Sequence, residues 1–239
     1  MTMNNCDSEL FRKQTHCIFA PQATFWKNES EWDTKVSIEE NVHSVRSDLD
    51  KYVEHIIYSQ ENNIEPIDSF VIEAPAEHYS KTMGDVAEWL YRVLNAISSE
   101  SIDKLKTLVP MKDGSYEDDG WEFRYSGVRF FVLTTTPLYE EWHSRYCGGE
   151  KQKSVIIHLQ PMYSFDYNFN KSSIGCPVKI VKKIRSVFTR LGRDYENDFS
   201  HTVARGSSNR LHEAPKYLKP RHKGDPIIKW WIPRPFELK

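Results

Sequence analysis

Residues 120–137 read GWEFRYSGVRFFVLTTTP. Trp121, Phe123 and Tyr125 alternate with Glu122 and Arg124, which is the period of a strand with one buried face. Ser126-Gly127 interrupts that alternation, and apolar residues resume from Val128 towards Thr135. Two runs rich in aromatic and β-branched residues, parted by a two-residue turn, predict an antiparallel hairpin. In the second arm Phe130, Phe131, Val132 and Leu133 follow one another, so both faces are apolar and the arm is expected in the middle of a sheet.

Neighbouring segments extend the sheet. SVIIHL at 154–159 predicts a further strand before Pro161, and the run 68–73 within IDSFVIEA predicts another, ended by Pro75. Helical spacing appears in three places. Val42, Val45, Leu49, Tyr52 and Ile56 recur three or four apart within 41–58. Met83, Val86, Leu90, Val93, Leu94 and Ile97 do so within 81–98, with Trp89 beside the stripe. Ile180, Val181, Ile184, Val187, Phe188 and Leu191 form the third, opened by Pro177 and closed by Gly192. The opposite side of this third helix carries Lys179, Lys182, Lys183, Arg185 and Arg190 and reads as a solvated face. The expected fold is therefore α+β, a largely antiparallel sheet of about four or more strands with helices packed against it. Residues 1–40 and the proline-punctuated 200–239 read as irregular ends of one domain spanning 1–239.

Composition narrows the function. The chain has 239 residues, 39% hydrophobic and 13% aromatic, enough apolar surface for a core of its own. Its formal charge of −2 lacks the basic excess of a nucleic-acid binder. No stretch matches a signal peptide or a membrane span, so the expectation is a cytoplasmic protein that contacts no membrane. Cys6, Cys17, Cys147 and Cys176 form no CxxC pair and are expected to be reduced thiols. No phosphate loop, dinucleotide glycine pattern, HExxH or nucleophile elbow occurs. What remains is a density of histidine, arginine and aromatic residues around the hairpin and the strand after it.

Four blocks in order, WEFRYSGVRFFVL, PLYEEWHSRY, SVIIHLQPMYSFD and KKIRSVFTRLGRDYE, resemble segments of the YqcI/YcgG family, as do THCIFAPQATFW and HEAPKYL. The resemblance covers most of residues 15–218. It implies a heme-dependent N-hydroxylase, a monooxygenase that places oxygen on the amine or guanidine nitrogen of a small cationic amino-acid-like substrate in specialised metabolism. Such an enzyme uses O2 or peroxide, with an electron donor if O2 is the oxidant.

A heme takes an axial donor, cations for its propionates and an apolar aromatic slot. His143, within WHSRY, is the first candidate for the iron, with Arg145 as a propionate partner. His158, within SVIIHL, and Cys17, within THCIFAP, are the alternative donors. Arg185 carries over as a further contact to a propionate or to the substrate carboxylate. Asp118 and Asp119, ahead of Trp121, are the candidates for binding a cationic substrate. His78 reads as an exposed residue near a helix start, His16 stands beside Cys17 in THCIFAP, and Met162 is a further soft axial donor whose ordinary role is core packing. Two other functions suit the same residues: a heme carrier or sensor without turnover, and a cofactor-free binding module with an aromatic core.

Overall fold

A computed structural model describes residues 7–99, 121–171, 177–193 and 213–233. Five strands form one sheet in the order β1-β2-β5-β4-β3, where β1 is Phe25–Lys27, β2 Ser69–Pro75, β3 Phe123–Tyr125, β4 Val128–Thr135 and β5 Ser154–Pro161. The fold is α+β. β1 runs parallel to β2, and every other pairing is antiparallel.

The hairpin forms as its sequence dictates. Tyr125 pairs with Val128, and Ser126 (φ 46°) and Gly127 (φ 80°) both adopt positive φ, as a two-residue turn matching the sheet's twist requires. β4 lies between β3 and β5, consistent with its two apolar faces. Pro75 and Pro161 are the last residues of β2 and β5, where a missing N–H is tolerated.

The helices are α1 Asp7–Gln14, α2 Ile38–Asn62, α3 Ala76–Tyr79, α4 Met83–Ser99, α5 Met162–Lys171, α6 Pro177–Arg190 and α7 Ala214–Tyr217. α2 starts at a capping box: Ser37 Oγ accepts from the Glu40 amide, while the Glu40 carboxylate accepts from the Ser37 amide. It stops at Asn63, which takes the left-handed conformation. α2 and α4 cover one face of the sheet, burying Leu49, Tyr52, Ile56, Trp89, Leu90 and Val93 against Phe70, Ile72, Phe130, Val132, Val155 and Ile157. Each such fully buried side chain contributes about 1.5–3 kcal/mol.

The N-terminal 40 residues are not irregular throughout. They hold α1, β1 and the start of α2. Asp7, at the head of α1, is tied to the sheet because its Oδ2 accepts from the amides of Lys153 (2.7 Å) and Ser154 (2.6 Å). β1 is fastened by Asp68, whose Oδ2 accepts from the Thr24 amide at 2.9 Å. Asp68 Oδ1 accepts from Ser164 and Asn168 on α5, so one carboxylate joins an edge strand to a helix. Residues 213–233 return across β3 and β4: Tyr217 Oη accepts from the Phe123 amide (2.9 Å) and donates to the Phe130 carbonyl. Trp230 stacks on Tyr217 with ring centroids 5.7 Å apart. No helix among the described residues is long and apolar enough to cross a membrane.

Candidate functional site

The alternation of β5 sends Val155, Ile157 and Leu159 towards α2 and α4, and Ile156 and His158 to the opposite face. His158 pairs across the sheet with Val71 and Leu133 and is 0% exposed. The Phe11 ring of α1 lies 4.5 Å from its imidazole, and the Phe25 ring of β1 lies 5.4 Å away. Neither Nδ1 nor Nε2 of His158 has a hydrogen-bond partner. Burial, and then the positive charge of Arg145, hold its pKa down to about 3. It is thus a neutral imidazole with a lone pair unused by the protein, which is uncommon for a buried polar group.

His143 has a different environment. Its Nδ1 accepts from the Arg145 amide at 2.9 Å, which places the proton on Nε2, and Nε2–H donates to the Pro220 carbonyl at 3.1 Å. Its ring stacks flat on Tyr139 at 4.0 Å. Burial, followed by Lys219 and Arg145, brings its pKa to about 3. Both nitrogens of the first-ranked donor are therefore engaged, Nδ1 within the loop after β4 and Nε2 in holding that loop to the segment around Pro220, while those of the alternative, His158, are not.

Arg145 connects the two histidines. Its amide binds His143, its guanidinium lies 5.7 Å over the Phe131 ring and donates to the Lys216 carbonyl at 2.6 Å, and its charge acts on His158. Cys17 packs beside the Phe11–Ala20–Cys147 cluster that also holds Phe25 and Leu133, so it lies in the layer that covers His158. Burial raises its thiol pKa, opposed by the amides of Phe19 and Ala20. Cys147 is fully buried, and burial raises its pKa as well.

Arg185 is on α6, where it lines an open groove of about 580 Å³ with Lys182, Ser186, Thr189 and Arg190. Lys179, Lys182, Lys183 and Arg190 are exposed, as a solvated face predicts. Asp118 and Asp119 lie outside the described residues, as do Cys6 and Cys176. His78 is half exposed beside Glu77, and Met162 is half buried at the start of α5.

Two residues gain weight in the structure. Arg193 is only 5% exposed, with its guanidinium 4.9 Å from the Tyr146 ring. His16 lies with its ring 5.9 Å from that of Phe188 and has a buried Nδ1 without a partner. A sequence signal for Arg193 exists: Gly192 (φ 78°) ends α6 with its amide on the Thr189 carbonyl, and the Arg193 amide returns to the Phe188 carbonyl. The residue after such a glycine is turned back onto the helix it follows.

The fold and this layer define an α+β protein with a buried, unpartnered imidazole under an aromatic and arginine-rich cover. The chain belongs to the YqcI/YcgG family, whose model matches residues 8–223. No curated protein and no solved structure matches it. Among the described residues no group of three or more His, Cys, Asp or Glu side chains is arranged to hold a metal ion.

Proposed function

We propose that the protein is a heme-dependent oxygenase that hydroxylates a side-chain nitrogen, amine or guanidine, of a small cationic amino-acid-like substrate. The observation that carries the reading is His158, a neutral imidazole with two unpartnered nitrogens in an aromatic layer. A heme asks the protein for one such donor, for cations to balance its propionates and for walls that exclude water. The residues present fit that demand in kind: His158 is the donor, Arg145 and Arg193 are cations in or beside the layer, and Phe11, Phe25 and Phe131 are its walls. When bound, the heme supplies the oxygen activation. With a pKa of about 3, His158 keeps its lone pair available throughout the neutral range, so no proton has to leave before it coordinates. O2 or peroxide is the oxygen source, an electron donor is a partner in the first case, and the cytoplasm is the proposed location.

One observation favours a second reading, a heme-holding carrier or sensor without turnover. His158 is wholly enclosed, and a donor sealed by Phe11 suits retention better than exchange of substrate. Both readings predict a Soret band in protein purified from cells given a heme precursor. Only the oxygenase consumes oxygen or peroxide in step with an added amine or guanidine. Absence of a Soret band after hemin addition sinks both.

A further inference from the structure

Arg193 raises a question of charge. A guanidinium stays protonated at any ordinary pH, and burying it is costly unless an anion or a set of acceptors replaces its water. Yet Arg193, at 5% exposure, makes no ion pair within 4 Å with any described residue. Its Nη1 reaches the Tyr146 carbonyl at a long 3.4 Å, its plane rests against the Tyr146 ring, and its buried Nε has no acceptor. Glu141 attracts it electrostatically without forming an ion pair. His16 is close enough to feel its charge and also presents an unsatisfied buried ring nitrogen. Two cation-capable groups, from the loop after α1 and the turn after α6, thus both border Phe188, His16 with its ring 5.9 Å from the phenyl ring and Arg193 with its amide on the Phe188 carbonyl, and both have unused hydrogen-bonding capacity. They do so beside Cys147, whose thiol also senses Arg193 and which lies in the cluster bearing Phe11.

We propose that Arg193 and His16 form a carboxylate-binding site that anchors the acidic end of a bound ligand at the edge of the His158 layer. A carboxylate satisfies a guanidinium through paired N–H donors, and an adjacent imidazole adds a third. Two sources carry that chemistry, a heme propionate and the α-carboxylate of an amino acid, and only the first rests on the heme reading above.

Paired ligands that differ in the carboxylate alone supply the test. Wild type, Arg193→Gln and Arg193→Lys are titrated with hemin against hemin dimethyl ester, and with L-arginine against L-argininamide; circular dichroism checks folding. Wild type is expected to prefer the acid of at least one pair by about tenfold or more. Arg193→Gln should reduce that preference to about twofold or less, and Arg193→Lys should keep part of it. The pair that responds names the source. Discrimination of the arginine pair without any Soret band removes the heme reading and leaves the site standing. A wild type indifferent to both pairs, or an Arg193→Gln protein folded and as discriminating as wild type, overturns the proposal.

Discussion

The Phe11 ring of α1 lies 4.5 Å, centroid to centroid, from the His158 ring of β5. One aromatic side chain from the N-terminal helix therefore closes over a buried imidazole that no hydrogen bond occupies.

This contact separates the two histidines experimentally. His158→Ala should abolish the Soret band formed on adding hemin. His143→Ala should keep that band, because its nitrogens serve Arg145 and Pro220, but lose about 1–3 kcal/mol of stability through the two backbone groups it leaves unmet. Absorption spectra and urea unfolding of the two variants decide. A band surviving in His158→Ala and lost in a folded His143→Ala would identify His143 as the donor.

Acid should weaken the fold early. His143 and His158 both have folded pKa values of about 3, below the 6.5 of an unfolded histidine. Above pH 6.5 both states are neutral and the histidines contribute no pH dependence. Below it the unfolded chain takes up protons that the folded one refuses, so stability falls with pH, by up to about 1.4 kcal/mol per pH unit for each histidine. Urea titrations between pH 7.5 and 5, above the carboxylate range, should show this slope, reduced by about half in His158→Leu. A flat profile would contradict the buried, neutral state of both rings.

Tyr217→Phe removes one hydroxyl that accepts from the Phe123 amide and donates to the Phe130 carbonyl. The substitution should cost about 1–3 kcal/mol in urea unfolding, since both backbone groups are buried. A change below about 0.5 kcal/mol would mean that the two groups find other partners.

Asp7→Ala should loosen α1, because Asp7 Oδ2 holds the amides of Lys153 and Ser154. Cys147 is buried against the Asp7 carbonyl and Phe11, so its alkylation, followed residue by residue in a mass spectrometer, should speed up in the variant. Equal rates in the two proteins would show that α1 is held by other contacts.

The hairpin, the central place of β4 and the three long helices were legible because each carries many residues of one period. β1 was not, since three residues display no period, and its parallel ladder with β2 is flanked by the Thr24–Asp68 bond, which spans 44 residues of chain. α1 was missed because only Phe11 among its apolar residues is buried. The site was legible in part. Strand alternation put His158 off the main core face, whereas the two hydrogen bonds that engage the nitrogens of His143, one of them to Pro220, 77 residues away in the chain, carry no local sequence signal. Arg193 stood next to a helix-ending glycine whose turn directs it inwards, and that signal was present but silent on charge.

The clasp at Asp7 also orders events in time. Its partners Lys153 and Ser154 are 146 and 147 residues further along, and β1 rests on a strand that itself pairs with β5. On a ribosome α1 emerges before β5 and must wait until β5 has been made before its docking surface exists. The closure of such a long loop is slow and comes late. During that interval Phe11, Cys17 and the edge of β2 are without cover, so a nascent chain is exposed to misassociation at the elements made before β5.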